Sequence, residues 1–86
     1  MFNKEVIVRC QSGLYNHQAT YFVQKANEFP CSIWLESGNR KMNAKSLLGI
    51  MSLGVLPGAA VTLSASGDEA QAAVEALEQL LLRDAD

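Results

Sequence analysis

The apolar residues of this chain change their spacing repeatedly, and that alternation limits the folds open to it. Between Phe2 and Cys10, Val6, Val8 and Cys10 fall on one side while Glu5, Ile7 and Arg9 fall on the other, the period of a half-buried strand. After Ser12-Gly13 the period lengthens. Ala19, Phe22, Val23, Ala26 and Phe29 recur at helical spacing, with Asn16 as the N-cap and closure near Pro30. Ile33 and Leu35 then alternate with Ser32, Trp34 and Glu36, and Ser37-Gly38-Asn39-Arg40 turns the chain into a short strand over Lys41 to Asn43, so strands two and three form a hairpin. The same alternation sends Trp34 and Ile7 to the uncovered face of the sheet.

Ser46 opens a second, short helix that ends in the Gly54 to Gly58 segment around Pro57. Val61, Leu63 and Ala65 alternate with Thr62 and Ser64 as a fourth strand. Asp68 and Gln71 have capping-box spacing ahead of a last helix whose apolar face, Ala70, Ala73, Val74, Ala76, Leu77 and Leu80, runs to Leu81 or Leu82, with Arg83 to Asp86 expected to fray. The order is βαββαβα. The packing that buries these stripes is an α+β two-layer, open-faced sandwich, a four-stranded antiparallel sheet covered on one face by three helices, and the 86 residues form one domain, 1–86.

A net charge of −2, with both signs scattered along the chain, leaves no basic stripe for direct nucleic-acid binding and no polybasic membrane anchor. Met-Phe-Asn-Lys-Glu has no apolar signal-peptide region and no run is long enough to span a bilayer, so a cytoplasmic location is expected. Cys10 and Cys31 are too few and too far apart for a zinc or redox motif and read as small buried thiols. One histidine without a neighbouring second ligand gives no metal site, and no cofactor is implied.

The run Asn43-Ala-Lys-Ser-Leu-Leu-Gly-Ile-Met-Ser-Leu53 carries the strongest functional signal. Ser46 stands where an N-cap should, and its bland role is a cap worth about 1 kcal/mol. The sharper role is a phosphorylation site, because free first-turn amides and the positive helix end tolerate a phosphate, with Lys45 beside it. Leu47, Leu48, Ile50, Met51 and Leu53 leave the helix almost no polar face, so part of it packs in the core and part shows an apolar patch, here assigned to Leu47, Leu48 and Met51.

From end to end the chain resembles HPr, the histidine-containing phosphocarrier family of the bacterial phosphotransferase system. Two segments carry the resemblance: Asn43 to Leu53 is similar to the family's regulatory-serine signature, and Ser12-Gly13-Leu14 with Ala19-Thr20 frames its active-site loop. The family loop reads Gly-Leu/Ile-His-Ala-Arg-Pro-Ala. Here Gly13-Leu14-Tyr15-Asn16-His17-Gln18-Ala19 fills the same length, so Tyr15 takes the phosphoacceptor histidine's place, Asn16 the alanine's, His17 the arginine's and Gln18 the proline's. A tyrosine phosphate ester is too stable to pass on as a phosphoramidate is, and the loss of arginine removes a permanent bidentate cation.

This pattern is similar to the histidine-lacking, catabolite-repression branch of the family. The resemblance implies a non-catalytic regulatory protein of carbon catabolite regulation, phosphorylated on Ser46 by an HPr kinase/phosphorylase. Its partner would be a catabolite-control transcription factor that itself binds DNA, or another regulated protein, met through Leu47, Leu48, Met51, Lys45 and His17. Two rivals stand beside it. One is a degenerate phosphocarrier that takes phosphate from enzyme I on His17; the bland reading of His17 is a solvent-facing first-turn residue, since a two-residue shift rotates a helical side chain by roughly 200°. The other is an unmodified interaction subunit. A monomer or weak homodimer is expected, the exposed edges of a small antiparallel sheet permitting strand exchange.

Overall fold

The computed structural model describes residues 1–10, 13–14 and 16–83, with only the backbone at Asn16. Four strands and three helices follow the expected order: β1 (Phe2–Ile7), α1 (Asn16–Ala26), β2 (Ser32–Ser37), β3 (Arg40–Asn43), α2 (Leu47–Ser52), β4 (Ala60–Ser66) and α3 (Ala70–Leu82). The strands form one antiparallel sheet in the order β1-β4-β2-β3, so β4 fills the centre between β1 and the β2–β3 hairpin.

The register sets the core. Val6 lies opposite Val61, and Leu63 stands opposite both Lys4 and Leu35, while Ala65 meets Phe2 and Ile33, so the apolar members of each strand share one face. That face, with Phe22 and Ala26 of α1, Ile50 of α2, and Val74, Leu77 and Leu81 of α3, makes a single buried cluster. Each large apolar side chain buried there contributes about 1.5–3 kcal/mol. The opposite face is bare. Trp34 pairs with Ser64 and Asn43 on it, the Lys41 ammonium stands 5.3 Å from the Trp34 ring centre, and Ile7 is exposed, as the alternation requires.

Four local expectations are corrected. β1 ends at Ile7 rather than Cys10, because the backbone beyond leaves the β4 ladder: the Val8 amide donates to the Ala59 carbonyl, and the Arg9 and Cys10 amides both reach the Leu81 carbonyl at the end of α3. Val8 and Cys10 remain buried, so the side-chain alternation outlasts the strand. Asn16 is the first helical residue of α1 and so is not its N-cap; position 15 lies outside the described residues.

The Asp68–Gln71 capping box does not form either. Gly67 (φ 116°) turns the chain, Glu69 becomes the N-cap in a left-handed conformation (φ 63°) with no side-chain cap bond, and the Gln71 amide donates instead to Glu75 at 3.1 Å. α3 runs to Leu82; the frayed end expected over Arg83 to Asp86 lies beyond the described residues from position 84. α1 stops at Ala26, and Phe29, partly buried against the core, follows in a turn closed by its amide on the Ala26 carbonyl. Cys10 and Cys31 are buried, reduced cysteines, the Cys10 thiol donating to the Gly13 carbonyl at 3.4 Å, and no helix among the described residues is long and apolar enough to cross a membrane.

Candidate functional site

Ser46 is presented by a turn that Asn43 builds. The Asn43 side-chain oxygen accepts the Lys45 amide at 2.8 Å, an Asx turn, and its carbonyl accepts the Ser46 amide at 3.1 Å. Ser46 then adopts the extended backbone of an N-cap (φ −105°, ψ 115°), its hydroxyl accepting the Gly49 amide at 3.2 Å while its carbonyl accepts the Ile50 amide at 3.0 Å. The side chain is exposed. Gly49 makes room for it, since a Cβ there would stand 3.3 Å from the Ser46 oxygen.

Behind the cap the helix divides its apolar residues. Ile50 is buried in the core, whereas Leu47 (40%), Leu48 (83%) and Met51 (38%) are exposed, with Leu56 (60%) in the following segment. One hexameric helix thus anchors by one side chain and displays three. At its far end the Arg40 guanidinium donates to the Ser52 carbonyl at 2.7 Å and to the Ser52 hydroxyl at 3.3 Å. Neither Arg40 nor Ser52 was singled out by sequence reasoning; a cation near a helix C-terminus is favoured, but nothing local says that the hairpin brings Arg40 there.

Lys45 lies differently from its expected place beside the serine. Its ammonium donates to the Phe29 carbonyl at 2.7 Å in a part-buried contact, so it ties α2 to the turn after α1 rather than standing free. The Asn27 amide group, bonded to the Val23 carbonyl at 2.9 Å and the Lys45 carbonyl at 3.4 Å, ties the same two segments.

The second motif is anchored by Gly13 and Leu14. Gly13 sits at φ 64°, and a Cβ would fall 2.2 Å from the Val55 carbonyl oxygen, so glycine is required for both conformation and space. Leu14 is buried and its amide donates to that carbonyl at 3.1 Å, fastening the loop before α1 to the segment leaving α2. His17 is exposed in the first turn of α1, and Gln18, in the proline's place, is buried. Tyr15 lies outside the described residues.

These contacts fix how the two motifs relate. The start of α1 lies against the exit of α2 through Leu14 and Val55, and the end of α1 lies against the entry of α2 through Asn27, Phe29 and Lys45. The helices therefore run antiparallel. His17 and Ser46 belong to opposite ends of the pair, since about 15 Å of helix rise separates His17 from Asn27, the residue that meets Lys45. Among the described residues no cluster of His, Cys, Asp or Glu could hold a metal ion.

An open-faced sandwich thus carries a capped, exposed serine on a short apolar helix and a glycine-anchored segment before α1. Residues 2–82 match the family described as the PTS HPr component phosphorylation site. The chain is 46% identical to the HPr-like protein Crh of Bacillus subtilis over 77 residues, which is 90% of this chain and 91% of that protein. Among solved structures it superposes on HPr from Bacillus anthracis with a TM-score of 0.92 at 39% identity, covering 93% of this chain and 95% of that one. The crystal structure of Bacillus subtilis Crh, a catabolite-repression protein seen as a dimer with a swapping domain, gives a TM-score of 0.77 at 41% identity over 100% of this chain and 99% of that one. The chain belongs to the HPr family.

Proposed function

We propose that this protein is a regulatory HPr-like protein of catabolite repression, acting through protein contacts rather than catalysis, and that Ser46 is its switch. The observation that carries the reading is the exposed, cap-forming Ser46 hydroxyl flanked by exposed Leu47, Leu48 and Met51 on one short helix. The similarity to Crh supports the regulatory class. An HPr kinase/phosphorylase adds phosphate to Ser46 from ATP in the cytoplasm, and the first-turn amides offset part of a charge of about −1.5 to −2. Lys45 adds to that only by leaving the Phe29 carbonyl.

The phosphate changes surface rather than fold. A partner with a cation beside an apolar pocket gains affinity, and one with a carboxylate there loses it. A catabolite-control transcription factor is the partner class, meeting Leu47, Leu48 and Met51 with Lys45 at one end and His17 at the other. The dimer seen for Crh supports a homodimer here, with the monomer as its alternative.

The test is incubation with ATP and an HPr kinase followed by intact-mass measurement. One added phosphate, absent in Ser46→Ala, is expected; no added phosphate, or phosphate persisting in Ser46→Ala, overturns the assignment and favours an unmodified interaction role.

A further inference from the structure

We infer that Arg40 is a positioning residue for the Ser46 end of α2, acting on it through Ser52 and Gly49; its regulatory meaning rests on the reading of Ser46 as the switch. α2 has six residues, too few to hold a helix in water, with a glycine in the middle that weakens it further. Beyond the burial of Ile50, it is held by side chains at its two ends.

These ends are joined by consecutive hydrogen bonds. The Arg40 Nη1 group donates to the Ser52 carbonyl at 2.7 Å, and Nη2 donates to Ser52 Oγ at 3.3 Å. Ser52 Oγ donates to the Gly49 carbonyl at 2.7 Å, and the Gly49 amide donates to Ser46 Oγ at 3.2 Å. A charged donor thus orients a hydroxyl, the hydroxyl holds one peptide group of Gly49, and the other peptide group of Gly49 meets the switch oxygen. Such chains strengthen their members. Gly49 also packs toward β3, where its Cβ would meet Met42 at 3.5 Å, so the strand that carries Arg40 backs the same residue from inside.

Arg40 therefore sets where the Gly49 amide points, and that amide is one of the donors that a group on Ser46 would face. A lysine supplies one ammonium and no planar fork, so it serves the carbonyl and the hydroxyl less well together. Arg40 is exposed on the short edge strand β3, and its loss leaves the core intact.

The experiment is amide exchange by NMR on the full 15N-labelled chain, comparing wild type, Arg40→Ala, Arg40→Lys, Ser52→Ala and the Arg40→Ala/Ser52→Ala double variant. Arg40→Ala is expected to speed exchange at Gly49 and Ile50, not merely at Leu53 and Gly54, by about fivefold. Arg40→Lys restores part of the protection, and the double variant exchanges no faster than the faster single, as members of one relay should. Acceleration confined to Leu53 and Gly54, full restoration by lysine, or additive effects would each overturn the inference and leave Arg40 as a plain C-terminal cap. A parallel arm measures the initial rate of Ser46 phosphorylation with ATP and an HPr kinase, expected to fall about threefold or more in Arg40→Ala. An unchanged rate would remove Arg40 from the switch. Failure of the wild type itself to be phosphorylated sinks the Ser46 reading, while the exchange arm still decides on Arg40.

Discussion

At position 46 one hydroxyl serves the fold and the proposed signal together. Because it accepts the Gly49 amide, Ser46→Ala should lower stability by about 1 kcal/mol in urea denaturation, and Ser46→Asp should lose much less because a carboxylate also caps. Two backbone positions are equally specific. Glu69 holds a left-handed conformation without a cap bond to offset it, so Glu69→Gly should raise stability by about 0.5–1 kcal/mol in the same assay. Gly13→Ala should cost at least about 2 kcal/mol, since a Cβ there meets the Val55 carbonyl as well as a disfavoured φ. The cap of α2 was readable from residue type, because serine before an apolar run has one ordinary use. The cap of α3 was not: Asp68 and Gln71 have the right spacing, but the turn at Gly67 delays the helix until Glu69 stands where Asp68 was expected.

At the scale of the element, α2 divides stability from display. Ile50→Ala should cost about 2–4 kcal/mol, while Leu48→Ser, at a site 83% exposed, should stay within about 0.5 kcal/mol of wild type in urea unfolding followed by Trp34 fluorescence. If the proposed function holds, the same Leu48→Ser change should weaken binding of the Ser46-phosphorylated protein to its partner at least tenfold in a titration, about 1.4 kcal/mol. The all-round apolar pattern announced that some of these residues face outward, and the assignment of Leu47, Leu48 and Met51 to that patch agrees with their exposure. It also supplies what no local pattern could. Lys45 looked like a companion to the serine because it precedes it, yet its ammonium reaches a carbonyl sixteen residues earlier. Arg40 looked like a turn residue because it closes Ser37-Gly38-Asn39-Arg40, yet the hairpin carries it to the end of α2. Both are tertiary contacts, set by how the hairpin and α1 pack against α2.

At the scale of the whole molecule, the layer architecture followed from the periods of the apolar residues, whereas the order β1-β4-β2-β3 depends on long-range pairing that those periods do not encode. The antiparallel α1–α2 pair is the consequence that matters for function. It sets His17 and Ser46 at opposite ends of the α1–α2 pair, so a partner that reads both must span that pair rather than clasp a single phosphate. It also separates the start of α1, where the resemblance to the family places a carried phosphate, from Ser46, the proposed switch at the start of α2. The most direct test presents the protein with both donors, ATP with an HPr kinase and phosphoenolpyruvate with enzyme I, and maps the phosphate by residue under conditions that preserve acid-labile linkages. Stable phosphate on Ser46 from ATP, with no acid-labile phosphate from phosphoenolpyruvate, is the predicted result; acid-labile phosphate on His17, lost in His17→Ala, would contradict it.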